Sequence, residues 1–148
     1  MRRELPMILI RVIVGLVFLV EGTLKFLFPH ELGVEHFAAL GLPFPQILAP
    51  LSGAVEIGGG LAILLNFYAG DAALALLIVL LTAMVSTKLP ILLRRPLGPF
   101  PLPVLPLYGA LSFLHEARAE LCMIFATLAV LIDSGLQVGR RRHWYQGN

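Results

Sequence analysis

Charge is what this sequence has least of. Asp, Glu, Lys and Arg make up 14% of its 148 residues, while 58% are hydrophobic. About a quarter charged is usual for a soluble domain. A chain this short cannot hide so much apolar surface in a core of its own, so a water-soluble globule is excluded. The mean hydropathy of +0.89 points to a bilayer as the solvent. Cysteine is nearly absent too. Cys122 stands alone, so there is no internal disulfide and no C-x-x-C, which excludes a self-contained dithiol oxidoreductase. His30, His36, His115 and His143 all fall outside the apolar runs, where a haem held between helices would not find them. Their spacing fits no metal-ligand pattern, so no metal site is expected and they read as solvated interfacial residues. Nucleotide loops, catalytic serine signatures and nucleic-acid motifs are missing. The small excess of basic residues gathers at the two ends, which speaks to membrane topology and excludes nucleic acid as the partner.

Long apolar runs are what the sequence does have. A spanning helix needs roughly 20 mostly apolar residues, and four stretches qualify: 7–28, 46–67, 70–93 and 117–138, the last with a start as early as Ala110. In lipid each backbone N–H and C=O must be satisfied within its own segment, so all four are expected to be helices. Pro29, the pair Pro43 and Pro45, Gly70 and a Pro-rich stretch separate them. The fold class is therefore all-α, an integral membrane four-helix bundle forming a single domain over 1–148. Arg2 and Arg3 before an apolar run resemble a signal peptide, but Arg11 and Glu21 interrupt that run and no A-x-A site follows, so a retained first helix is expected. Six prolines between Pro90 and Pro106 leave the outer loop 94–116 too broken for a helix and too apolar to float free. It reads as a cover lying along the interface, anchored by Tyr108 and Phe113, with a lid as the alternative.

Few as they are, the charges inside these runs follow a pattern. Glu21 and Lys25 sit in the outer part of the first span, Glu56 near the middle of the second, Lys88 near the outer end of the third and Glu120 near the outer start of the fourth. A charge at a helix centre costs about 2.5–3.5 kcal/mol on insertion scales, so five facing lipid would cost on the order of 10 kcal/mol. They are expected to face inward and meet. Glu21 and Lys25 are also spaced i,i+4, with the acid on the favourable N-terminal side. Gly15 and Gly22 share a face with Arg11 and Lys25. Gly53, Gly59 and Gly60 flank Glu56, and small residues let helix backbones come close. Nearer the other side, Arg11 and Asp133 fall at similar depth and form a candidate inner ion pair. Cys122 reads as a small buried packing residue, with an exchanging thiol as the minority reading.

These residues carry a resemblance. Arg11 opens the first helix, Gly15 follows, and Gly22 with Lys25 makes a Gly-x-x-Lys. Gly41 to Pro43 is a Gly-x-Pro loop, and Glu56 is followed by Gly59 and Gly60. Together they resemble the DoxX family of small bacterial four-helix membrane proteins over about the first seventy residues. Glu120 stands where an acidic residue often opens the fourth helix. The Pro-rich loop and basic tail are particular to this chain. Most members of that family have no assigned activity. One branch resembles the membrane subunit of an archaeal thiosulfate:quinone oxidoreductase, and others accompany thiol-redox or oxidative-stress proteins. The resemblance thus implies a redox-associated, quinone-linked component of the bacterial plasma membrane, with a redox partner protein.

Two functional readings follow. In one, Glu21, Lys25, Glu56, Lys88 and Glu120 line a pocket for a quinone or similar small molecule, where Lys donates to a carbonyl and a carboxylic acid supplies protons. In the other, the same groups only lock the helices together in a non-catalytic scaffold or assembly subunit. A small transporter is disfavoured, since four helices show no clear inverted repeat. The glycine face of the second span fits packing within one protomer or between protomers of a homo-oligomer. Orientation follows from Lys and Arg near the helix ends. Arg2, Arg3, Arg140, Arg141 and Arg142 lie on one side, against Arg94, Arg95 and Arg118 on the other. Both termini are expected in the cytoplasm (N-in/C-in). A C-terminal green fluorescent fusion should therefore fluoresce and a C-terminal alkaline phosphatase fusion should be inactive. The opposite pair of results would invert the topology.

Overall fold

The computed structural model describes residues 5–146, with side chains described through residue 135. Its regular structure is helical throughout, and among the described residues there is no strand beyond an isolated bridge between Leu97 and Phe100. The first helix, α1, runs Leu5–Leu27, a short α2 Val34–Ala39, and α3 Pro45–Leu64. Next, α4 (Ala69–Ala83) leads through a π-wound turn, Met84–Lys88, into α5 (Leu89–Leu93). Finally α6 spans Ala110–Glu116 and α7 Arg118–Gln146. Three rods are long and apolar enough to cross a membrane: Leu5–Leu27, Pro45–Leu64 and Ala69–Leu93. The apolar run expected as a fourth span lies in α7, and its last three residues fall beyond the described side chains, as does the basic cluster Arg140 to Arg142. Arg2 and Arg3 lie outside the described residues.

The four rods close a ring: α1 packs on α3, α3 on α4, α4 on α7, and α7 back on α1. The layout inverts that of a soluble protein. Ile8, Leu9, Ile13, Leu16 and Val20 point outward from α1, while Arg11 and Glu56 are 9% and 4% exposed. Apolar side chains gain nothing from leaving lipid, whereas a charge gains a partner by turning inward. Between the charged layers lies an apolar one, with Val14, Phe18, Ile63, Leu76 and Val130 at its centre.

Helices α1 and α3 cross at two reciprocal glycine contacts. A Cβ on Gly22 would stand 2.7 Å from the Gly53 carbonyl oxygen, and one on Gly60 would stand 2.7 Å from that of Gly15. Both pairs are seven residues apart on each helix, so two turns of backbone lie against each other. Gly59 instead faces α4, where a Cβ would meet the Leu76 side chain at 2.9 Å.

Several boundaries differ from the expected ones. The third span is not a single α-helix. Pro90 has no N–H and its ring crowds the preceding turn. The chain relaxes just before it into a wider turn, closed by Leu89 N–H to the Met84 carbonyl. Ser86 Oγ donates to Thr82 O at 2.8 Å and Thr87 Oγ1 to Ala83 O at 2.7 Å, so hydroxyls cover carbonyls along the altered turn. The Pro-rich loop holds a helix after all, since no proline follows Pro106 and α6 forms from Ala110. A break at Ala117 separates it from α7. The loop is folded on itself: Tyr108 Oη donates to Pro103 O at 2.9 Å and accepts from Leu105 N–H at 3.1 Å. It is also tied to the connection between α2 and α3, where Gly41 (φ +73°) passes so close to the Pro99 carbonyl that no side chain fits.

Gly22→Ala and Gly60→Ala should each cost about 1–3 kcal/mol, the usual penalty for forcing atoms into a filled contact. Gly58→Ala, with nothing within 4 Å of the added carbon, should be neutral or slightly stabilising, because Ala is the better helix former. Thermal unfolding of the three variants in detergent micelles checks the contrast.

Candidate functional site

A cavity of about 770 Å³ occupies one end of the bundle, within the range typical of small-molecule sites. All five ionisable residues singled out in the spans line it: Glu21 and Lys25 from α1, Glu56 from α3, Lys88 from the π turn and Glu120 from α7. Most of the wall is apolar, from Leu48, Leu51 and Val55 on α3 to Ala75, Ile78 and Val79 on α4. Pro101, Pro103 and Leu105 bring the Pro-rich loop to its wall, and Leu32, Phe37 and Leu40 line it from the segment between α1 and α3.

Within the wall the charges are sorted into pairs. Lys25 Nζ donates to Glu56 Oε2 at 2.6 Å, with side chains 14% and 5% exposed. Ser52 Oγ donates to the other oxygen, Glu56 Oε1, at 3.4 Å. The glycine contacts make the first bond reachable, because they hold α1 and α3 close enough for a side chain of one to span to the other. The second pair joins Lys88 Nζ to Glu120 Oε1 at 3.1 Å and links the π turn to α7. Glu21 does not take Lys25, despite its i,i+4 spacing. Among the described residues it has no ion-pair or hydrogen-bond partner. A buried carboxylate on a facing helix offers Lys25 a stronger partner than a neighbour on its own exposed surface.

Further polar groups in the wall lie outside the expected site residues, His36, Glu116 and Thr87 among them. His36, expected at a solvated interface, sits half-buried on α2 and lines the cavity. Burial first, and then the nearby Lys25 ammonium, hold its pKa below the ordinary histidine value, so the ring is neutral at pH 7. Glu116, at the end of α6, and Thr87, in the π turn, also line it. A six-residue α2 has too few turns to show a periodic pattern. The one signal for His36 was its place between Glu35 and the apolar Phe37.

The remaining expected residues lie elsewhere. Arg11 Nη2 donates to Asp133 Oδ2 at 2.7 Å, bridging α1 and α7 on the far side of the apolar layer. Lys25 and Arg11 are 14 positions apart on one helix, roughly 20 Å at 1.5 Å per residue. The buried placement expected for Cys122 does not hold. It is exposed on α7 and does not line the cavity, because a small apolar thiol is as acceptable against lipid as inside the bundle. His30 pairs with Glu35 at 2.5 Å on the exposed surface. No three metal-ligating side chains converge among the described residues.

Lys25→Met should destabilise the protein by about 3–5 kcal/mol, since it leaves Glu56 buried without its partner. The double variant Lys25→Met/Glu56→Leu should recover most of that loss. Chemical unfolding in micelles reads both.

The DoxX family model matches residues 7–89, which carry α1 through the π turn, the glycine contacts and four of the five charged wall residues expected from the sequence, all but Glu120. The uncharacterized membrane protein Rv3486 of Mycobacterium tuberculosis is 40% identical over 124 residues, covering 84% of this chain and 72% of that protein. No solved structure matches. Matched over more than half its length by the family and along most of it by this relative, the chain belongs to the DoxX family of membrane proteins.

Proposed function

We propose that the outer cavity binds a small molecule with a polar ring and an apolar body, a quinone being the best fit, and that the protein serves as a quinone-linked membrane component. The observation that carries this reading is the cavity itself: about 770 Å³ of mostly apolar wall with two ion pairs and further polar groups in it. Each Lys ammonium has three N–H donors and spends one on its carboxylate, so donors remain for a carbonyl. A bound quinone would supply two-electron chemistry that also takes up two protons. Glu56 and Glu120 are placed to hold and pass protons at the cavity wall, and electrons would have to come from a redox partner protein. In this reading the chain lies in the bacterial plasma membrane, with α7 as a fourth span and both termini cytoplasmic.

A second reading has an observation of its own. The two ion pairs join four different elements, α1 to α3 and the π turn to α7, as a static lock in a scaffold subunit would. Such a lock has no use for Glu21, His36 and Glu116 around an open volume, which favours the ligand.

Native mass spectrometry of the gently purified protein should show a quinone-sized adduct that Glu56→Gln removes while leaving the fold intact. A folded Glu56→Gln variant that instead loses only a co-purifying protein would establish the scaffold.

A further inference from the structure

Four carboxylates and two ammonium groups face the cavity, and each ammonium group already pairs with one carboxylate. Lys25 holds Glu56 at 2.6 Å and Lys88 holds Glu120 at 3.1 Å. That leaves Glu21 and Glu116 in the wall without a hydrogen-bond or ion-pair partner among the described residues. His36 does not make up the difference. Burial, and secondarily Lys25, keep it uncharged at neutral pH. The wall therefore carries more carboxylates than cations, and two of those carboxylates stand open to a donor.

Of the two acceptors, Glu21 is the better placed to choose a ligand. It projects from a 23-residue helix, one turn from Lys25, whereas Glu116 ends a seven-residue helix at the break before α7. A carbonyl set against Glu21 would oppose lone pair to lone pair. A hydroxyl there gives a short charge-assisted bond, among the stronger kinds.

We propose that this cavity discriminates between the hydroxyl and carbonyl forms of a ring, with Glu21 as the specificity-determining acceptor, so that the favoured ligand is a phenol or hydroquinone on an apolar body. The proposal rests on the quinone reading for the location of the ligand, but not for its oxidation state. Apolar walls hold the body, as in the carbonyl form. The ring hydroxyl donates to a Glu21 carboxylate oxygen and can accept from a spare N–H of Lys25.

The full chain in lipid nanodiscs, with empty nanodiscs as the partition control, tests this. The probes are para-dodecylphenol, its methyl ether, and a decyl-substituted benzoquinone. The phenol should bind at least about tenfold more tightly than the ether, the difference expected when one charged hydrogen bond is lost. Glu21→Gln and Glu21→Ala should both shrink the gap to about threefold or less, while Glu116→Gln leaves it. Glu21 has no partner to strand, so these variants should fold, and the phenol-to-ether ratio on the unaltered protein needs no variant. Equal affinity for phenol and ether overturns the proposal, as does a preference that survives both Glu21 substitutions. The quinone arm separates the two readings. Benzoquinone binding as tight as the phenol's keeps the quinone site and sinks the discrimination. Phenol binding with no benzoquinone binding does the reverse.

Discussion

The rest of the structure depends on the Lys25–Glu56 bond across α1 and α3. In a bilayer neither charge has water to fall back on, so each is tolerable only beside the other. The bond needs two backbones almost in contact, which the glycine pairs Gly15/Gly60 and Gly22/Gly53 provide. Those glycines are dear in another currency, since each weakens its own helix relative to Ala. Their cost makes sense only if the close crossing is worth more than the helix propensity it forfeits. The crossing also fixes which way the rest of α3 faces, and with it the wall of the cavity.

The two charged layers do different work. Arg11 and Asp133 help close the bundle on one side of the apolar layer with a tight bond between them. On the other side the charges surround an open volume rather than filling it. A bundle needing only cohesion would have no reason to build these ends unlike each other. The cavity end is also the one assembled from irregular parts: a six-residue helix, a π turn, a proline-rich loop and a broken α6–α7 junction. Irregular backbone in a membrane protein is tolerated where it is buried in protein or lines a cavity, and here it does line one.

Much of this was legible in the residues. Three of the spans followed from run length. The meeting of Glu21, Lys25, Glu56, Lys88 and Glu120 followed from the cost of charge in lipid, which is steep enough to overrule other arrangements. The choice of partner was not legible. The i,i+4 spacing favoured Glu21 for Lys25, because helical spacing sees only one helix, and the competitor on α3 exists only once the glycines have met. The π turn left a trace, Ser86 and Thr87 ahead of Pro90, but its winding depends on how the ring's crowding is relieved. Cys122 was misplaced because lipid and protein interior treat a thiol alike. His36 reached the cavity through α2, an element too short to announce itself.

Arg11 and Asp133 are 122 positions apart in the chain, and that separation has a consequence in time. At 5–20 residues per second, synthesis takes about 6–24 s to deliver the acid after the guanidinium has entered the membrane. Throughout that interval the first helix must be held by the insertion machinery, by phospholipid headgroups or at an interfacial depth. Biogenesis of this bundle is therefore bound to be sequential, with the emergence of α7 releasing α1 from whatever has sheltered it.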